Sequence, residues 1–595
     1  MRTVLRHRGP DAGGFWSDQT AVLAHQRLSI IDLESGDQPL SNEDASIWIV
    51  FNGEIYNHLD LRRFLEARGH LFRTRSDTEA IVHAYEEWGD DCVERLRGMF
   101  AFAIWDSRRR RLLLARDRLG IKPLYYAQLP AGDIVFGSEI KAVLQHPAVP
   151  TDWSPEALDS YLSLLYVPAP ATIYRAIRKL PAGHLLIVED GHARLRKYWD
   201  LHFPGDGMDQ REEEYLARLD ELLREAVRLR LMSDVPLGAF LSGGIDSSTV
   251  VAYMVETSST TVVTTSVGFD EREFDELQHA ETVARHLGCD HHPRIVHPDV
   301  VDLLPRLAWH FDEPFADSSA VPTYGVCKAA RELVTVALSG DGGDELWAGY
   351  PWHRVEHAEH AARRGLGAAA PLAGRAARTL PLSVKGSRAL RHLALPPDRA
   401  CAVKHAYNQF DAGAKRYLYT AEFAAAVADH DPFAPFVDAY RACSSPDPLD
   451  RAMYVDVKTY LADDILTKVD RMSMAVSLEA REPLLDHRLL EFAATVPSSL
   501  KLRHGTSKYL LRRLLRRRVP ASILERGKRG FEAPIGTWLR TTLAPMGEAL
   551  LLDGRLAARG IFQKWSIERL WDEHQRGVRD HRHRLWVLLM LELWF

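Results

Sequence analysis

The chain has 595 residues, 46% of them hydrophobic and 26% charged, and a formal net charge of -6. Its length exceeds what one hydrophobic core fills, roughly 250–300 residues, so two domains are expected, and the balance of residue types excludes a disordered or fibrous chain. The negative balance excludes a global basic face for nucleic acid, and no stretch reaches the ~18 apolar residues of a membrane span.

Five cysteines (Cys92, Cys289, Cys327, Cys401, Cys443) stand far apart with no CxxC pair, which argues against a disulfide framework and a structural zinc site. The start, from Met1 to Arg8, has no apolar leader segment, so a cytoplasmic protein is expected.

In chain order, the first third reads as short strands. Apolar runs at 47–51, 99–105, 112–115, 124–129 and 134–136 partly alternate and are separated by Gly, Asp or Ser, which predicts an antiparallel, layered sheet. One amphipathic helix is predicted over 78–97, where Ile81, Tyr85, Trp88, Val93 and Leu96 recur at helical spacing. Prolines at 147–155 and 168–181, followed by the polar stretch 203–214, place a domain boundary near residue 205. Beyond it, strands at 235–241, 262–269 and 333–338 alternate with helices starting at 247 and spanning 275–287, the pattern of a parallel sheet covered by helices. From about residue 363 the chain reads as mostly helical, with no internal repeat.

The sharpest motif is Ser242-Gly243-Gly244-Ile245-Asp246-Ser247-Ser248, directly after an apolar strand and directly before a helix. Glycines let backbone N–H groups approach phosphate oxygens, and a helix N-terminus adds partial positive charge. No GxxxxGK[ST] segment is present, which excludes a Walker A loop. A second cluster, Ser339-Gly340-Asp341-Gly342-Gly343-Asp344-Glu345, also follows an apolar strand. Three carboxylates this close repel one another unless a cation compensates them, which points to Mg²⁺ shared with pyrophosphate; the alternative is a solvated acidic turn. Arginine runs at 108–111 and 516–518 read as solvated faces.

The first motif resembles the PP-loop of ATP pyrophosphatases. Upstream, His7-Arg8-Gly9-Pro10-Asp11, Gln26-Arg27-Leu28-Ser29-Ile30, Phe51-Asn52-Gly53-Glu54-Ile55-Tyr56-Asn57 and Arg75-Ser76-Asp77-Thr78-Glu79 follow one another in an order that resembles the class II glutamine amidotransferase domain. With Gly98 to Ala103, Arg116 to Pro123, Asp312-Glu313-Pro314, Lys468 to Arg471, Glu479-Ala480-Arg481 and Lys528 to Phe531, the resemblance narrows to the glutamine-hydrolysing asparagine synthetases and covers nearly the whole chain.

That resemblance implies an α/β protein in two parts: a layered antiparallel glutaminase-type domain (α/β/β/α) over 1–205, then a parallel α/β adenine-nucleotide α-hydrolase-like synthetase with a helical C-terminal part over 206–595. It implies that Arg27 holds the glutamine α-carboxylate and Asp77 its α-ammonium, that Asn52 and the Gly53 amide form an oxyanion hole, and that Glu54 lies in the same pocket. In the synthetase it implies that the segment Ser242, Gly243, Gly244, Asp246, Ser247 and Ser248 cradles the ATP phosphates. Leu241, Val267, Ser339 and Gly340 would line the nucleotide site, Asp246 and Asp344 would hold Mg²⁺, and Lys508 would face the α-phosphate or the tetrahedral intermediate.

The implied substrates are aspartate, ATP and glutamine or ammonia, the implied assembly a homodimer, and the implied reaction amidation of the aspartate β-carboxylate through an acyl-adenylate. Amidation of another carboxylate, or a glutamine-binding protein without catalysis, remain alternatives. One departure stands out: the family's nucleophile is an N-terminal cysteine, whereas here Met1 is followed by Arg2 and no cysteine precedes Cys92. The expectation is a start codon assigned too far downstream, with an ammonia-only enzyme as the alternative.

Overall fold

A computed structural model describes every residue except 205–210, 269–276, 297, 382–383, 385, 407–408, 528–529 and 531–532. The expected boundary at 205 lies outside the described residues, as does the Lys528 to Phe531 motif apart from Gly530.

The alternating runs of the first third form a six-stranded antiparallel sheet in the order His192–Lys197, His184–Glu189, Arg111–Arg116, Gly98–Asp106, Ile47–Ile55, Leu40–Ser41. Because successive strand residues point to opposite faces, Ile49 and Phe51 pack against the helices His58–Glu66 and Asp77–Trp88. Val50 faces the other way, onto Leu23 of the hairpin Ala12–Ser17 and Val22–Arg27. That hairpin went unread, since its outer strand alternates only between half-buried and exposed and carries no apolar run.

One expectation is corrected, and one proline-punctuated stretch has a structure not read from its sequence. The single helix over 78–97 ends at Trp88, because Gly89 adopts φ 57°, a conformation glycine enters without a Cβ clash; a turn at Gly89–Asp91 and a short helix Cys92–Arg95 follow. The prolines at 147–155 begin a helix. Ser154 accepts a hydrogen bond from the Ala157 amide and Pro155 sits at the first helical position, where its missing N–H costs nothing, so Pro155–Leu164 forms. Tyr161 of this helix is fully buried and donates to the Val587 carbonyl at 2.7 Å, so this segment packs into the core of the C-terminal helices.

The second region is built on a five-stranded parallel sheet in the order Asp290–Ile295, Val263–Gly268, Leu237–Phe240, Val336–Leu338, Glu479–Arg481. Chain order reverses direction between Leu237–Phe240 and Val336–Leu338. Ligands of open parallel sheets bind beyond the strand ends at such a switch point, and both glycine-rich motifs leave from these two strands. Among the described residues no helix is long and apolar enough to cross a membrane.

Candidate active sites

A cavity of about 730 Å³ opens at that switch point. Leu241, Ser242, Asp246 and Ser247 line it from the first loop, Ser339, Gly340 and Asp344 from the second, and Val267 from the neighbouring strand. Gly243, Gly244 and Ser248 do not line it. Gly243 turns the chain at φ 69°, Gly244 precedes the helix Ile245–Thr257, and Ser248 is fully buried with its hydroxyl unpartnered. Glycine is required where the two loops touch: a Cβ on Gly340 would lie 2.6 Å from the Ser247 amide nitrogen, and one on Gly343 would lie 2.3 Å from Asp246 Oδ1.

The solvated-turn reading of the acidic cluster is overturned, because Asp344 and Glu345 are buried. Their compensation comes from the chain itself. Lys508, held at φ 54° at the start of the helix Tyr509–Leu515, pairs with the Asp246 carboxylate and lies 2.6 Å from Asp344 Oδ1. Glu345 is compensated by a proton: burial, reinforced by Asp344, pushes its pKa up to about 8, and Tyr350 donates to it at 2.7 Å.

Further charged groups line the cavity that sequence reasoning gave no role. Lys468 donates to Asp317 Oδ2 and Ser319 Oγ, both at 2.7 Å. Asp464 sits on a π-helical segment, Leu461–Ile465, a feature frequent at functional sites. Burial and then Asp317 push its carboxyl well above the usual range. The available signal was Asp464 four residues before Lys468, one helical turn apart on one face.

The N-terminal pocket is built differently. Asn52, Gly53 and Glu54 are consecutive on the strand Ile47–Ile55. Gly53 has φ 145° and a Cβ there would lie 2.0 Å from the Met99 carbonyl oxygen, so only glycine fits. Asn52 Nδ2 is buried with no hydrogen-bond partner, a donor aimed at nothing in the chain. Asp77 opens the helix Asp77–Trp88 and accepts from the Ile55 amide at 2.8 Å, which brings it beside the Glu54 segment; burial raises its pKa against the opposing pull of His58.

Arg27 makes its contacts elsewhere: its guanidinium donates to the Ile31 and Asp32 carbonyls at 3.0 and 2.6 Å and lies 3.1 Å from Asp37. The Asp32 carboxylate in turn accepts from the Arg75 amide at 2.8 Å, so one loop links Arg27 to the segment leading into Asp77. Cys92 is fully buried, and burial with Asp90 raises its thiol pKa, so it stays a protonated core residue.

Glu54 is shared with the second region. Its Oε1 lies 3.3 Å from Nη2 of Arg481, the end of the last parallel strand, and Arg481 also holds Glu479 at 2.7 Å. Burial, and then Glu479, push the Glu54 carboxyl well above its ordinary range while Arg481 opposes them. Two further buried pairs tie the regions: Arg8 grips Asp470 with two hydrogen bonds of 2.7 and 2.9 Å, and Arg97 grips Asp486 with two of 2.9 and 3.0 Å. Between them Tyr56, Met99, Leu119 and Ile121 merge into one apolar cluster with Leu241, Leu461 and Leu484.

A family model for asparagine synthase matches residues 218–595, and one for a glutamine amidotransferase domain matches residues 1–199. The Bacillus subtilis protein named asparagine synthetase [glutamine-hydrolyzing] 1 is 34% identical, covering 100% of this chain and 92% of the relative. A putative asparagine synthetase [glutamine-hydrolyzing] of Mycobacterium tuberculosis is 35% identical over 99% of this chain and 92% of its own length. Amidase chyE of Penicillium rubens is 31% identical over 90% and 84%. Identity at this level over the full chain, with both family models in the same order, means that the chain belongs to the asparagine synthase family and carries a glutamine amidotransferase domain ahead of its synthase domain.

Proposed function

We propose that this protein makes asparagine, using ATP to activate the β-carboxylate of aspartate and ammonia, released from glutamine or supplied free, to form the amide. The observation that carries the reading is the pair of glycine-pressed loops at the sheet switch point, whose Asp246 and Asp344 line a cavity of about 730 Å³ and are bridged by Lys508, which does not itself line it.

A carboxylate repels nucleophiles, so it must be converted to an adenylate before ammonia can attack. Ser242, Asp246 and Ser247 at the start of the helix Ile245–Thr257 would hold the phosphates, with the turn at Gly243 and Gly244 shaping the loop and Leu241, Val267, Ser339 and Gly340 against the nucleotide. Asp246 and Asp344 present only oxygen donors toward one cavity, the donor type Mg²⁺ takes, and the ion would neutralise the pyrophosphate that leaves. Lys508, which pairs with both carboxylates, would be able to turn its ammonium to a phosphate oxygen or to the tetrahedral adduct. Lys468, which also lines the cavity, would neutralise the substrate carboxylate or a phosphate.

In the N-terminal domain Asn52 Nδ2 and the Gly53 amide would receive the oxyanion formed at the glutamine side-chain carbonyl, which explains an unpartnered buried amide. Arg27 and Asp77 would bind the two ends of the glutamine backbone. The apolar cluster from Met99 to Leu241 suits the passage of neutral ammonia, since an ammonium ion would be desolvated there. We place the domain division near residue 205 and assign a homodimer.

A second reading is that another carboxylate is amidated, because the two glycine-rich loops would hold ATP without specifying which acid is activated. Substrate-dependent ATP–pyrophosphate exchange separates the two. Exchange driven by aspartate is expected, and exchange driven only by a different acid would transfer the assignment to that acid.

A further inference from the structure

We propose a divalent transition-metal site, of the kind that takes Zn²⁺, on the outer helical layer of the amidotransferase domain, formed by Glu43, His70, His83 and Glu86. One ligand atom from each lies within 4.8 Å of the other three. Glu43 comes from the turn after Leu40–Ser41, His70 from the stretch after the helix His58–Glu66, and His83 and Glu86 from one face of the helix Asp77–Trp88.

The spacing is that of a tetrahedron. Four edges are given by His83 Nδ1 to Glu86 Oε2 at 2.7 Å, His70 Nδ1 to Glu86 Oε2 at 3.5 Å, His83 Nδ1 to Glu43 Oε1 at 3.7 Å, and His70 Nδ1 to Glu43 Oε1 at 3.9 Å. A tetrahedral zinc with bonds near 2.0–2.1 Å needs ligand atoms ~3.3 Å apart, so these four edges would change by about 0.2–0.6 Å, and the remaining two, each under 4.8 Å, would contract to match. Two imidazoles with two carboxylates form a nitrogen and oxygen set that suits Zn²⁺, Co²⁺ or Ni²⁺, and the two carboxylate charges neutralise the ion.

The surroundings are those that orient metal ligands. Each histidine has its second nitrogen beside a further carboxylate: His83 Nε2 lies 3.8 Å from Glu79, and His70 Nε2 lies 3.7 Å from Glu87. At these distances the carboxylates attract the rings without a hydrogen bond, and His83 Nδ1 is hydrogen-bonded to Glu86 at 2.7 Å; an ion would replace that bond, with the nearby carboxylates drawing in to orient the rings. Glu79 is itself fixed by the Arg73 and Thr74 amides, and the other oxygen of Glu86 accepts from Asn42 at 2.7 Å. His83 is fully buried, and its Nε2 has no hydrogen-bond partner. Four protein ligands leave no open position, so the ion is structural, pinning the helix that begins with Asp77 to the turn and loop beside it. The scattered cysteines bear only on thiolate sites and are silent about this one.

The test uses the full chain, stripped with a chelator and titrated with Zn²⁺ by calorimetry and with Co²⁺ by absorption. Parent protein should bind one equivalent and show the visible band of tetrahedral Co²⁺. His70→Gln and Glu43→Gln, each at a partly exposed position, should lose the band and weaken Zn²⁺ binding by at least the roughly 10–100-fold that loss of an outer-shell partner alone causes. An unchanged circular-dichroism spectrum and a cooperative denaturation transition in both variants show that they are folded. Absence of the band in the parent protein, or a band of equal strength in both variants, would overturn the site.

Discussion

The nucleotide cleft and the glutamine pocket solve the same problem, holding charged groups away from water, in opposite ways. In the cleft the compensation is local: Lys508, Asp246 and Asp344 all belong to the synthase region, and Glu345 keeps a proton. In the pocket it crosses the molecule, since Glu54 of the amidotransferase sheet is balanced by Arg481 from the edge of the synthase sheet. The difference teaches that damage to the cleft should stay local, whereas damage to the pocket's balance should reach the contact between domains.

The largest effect is expected where that contrast is easiest to break. Arg481→Met removes the guanidinium that contacts both Glu54 and Glu479, and two hydrogen bonds to the Arg230 and Met232 carbonyls. Stranding buried carboxylates in this way costs about 3–5 kcal/mol, so chemical denaturation should show a loss of that size. A loss below about 1 kcal/mol, the scale of an exposed ion pair, would mean that the pair does not bind the domains together.

Asp246→Ala sharpens the other side. Aspartate-dependent ATP–pyrophosphate exchange should fall about 10²–10³-fold, the loss of one preorganised charge-stabilising group, while glutamine affinity stays as it was. Exchange within a few-fold of the parent would take Asp246 out of the cleft's chemistry. Arg27→Ala is the reciprocal experiment. Glutamine binding followed by calorimetry should weaken by about 1.5–3 kcal/mol, as for a lost charge-assisted hydrogen bond, with exchange unaltered. Equal affinity in mutant and parent would leave Arg27 with only its structural contacts to the 31–37 loop.

The smallest effect is a slope. Glu345 has its pKa raised from 4.5 to about 8 in the folded chain, so the native state binds the extra proton between those values. Its contribution to stability is therefore complete below pH 4.5 and is lost as pH climbs through about 8. Glu345→Gln keeps a neutral side chain throughout and should flatten the fall in stability across that window. Parallel profiles for mutant and parent would mean that Glu345 ionises normally.

Much of this was legible in the sequence, for physical reasons that also mark where it stopped. The motifs at Ser242 and Ser339 could be read because a strand, a glycine turn and a helix start are contiguous, and Leu237–Phe240 and Val336–Leu338 do sit side by side. Val263–Gly268 and the helix Leu277–Leu287 were legible from periodicity. The outer parallel strand Asp290–Ile295 was not, since Asp-His-His-Pro-Arg-Ile has almost no apolar content; backbone pairing to Val263–Gly268 and a 2.9 Å contact of His291 with the Thr264 hydroxyl hold it.

Lys508 was named from the sequence, yet its burial could not be, because it depends on Gly349: a Cβ there would lie 2.3 Å from the lysine Cε. Arg481 was quoted only as part of a motif. Nothing within its own segment shows that a glutamate 427 positions upstream completes its charge balance. The four metal-ligand candidates are likewise separated along the chain, so no spacing rule could collect them.

The most direct measurement of the central claim is the stoichiometry of products when the full chain is supplied with ATP, Mg²⁺, aspartate and ammonium at pH 8. Asparagine, AMP and pyrophosphate should appear in equal amounts, and none of them without aspartate. Formation of ADP and phosphate, or AMP release indifferent to aspartate, would contradict the assignment of the cleft as a site that joins aspartate to the nucleotide.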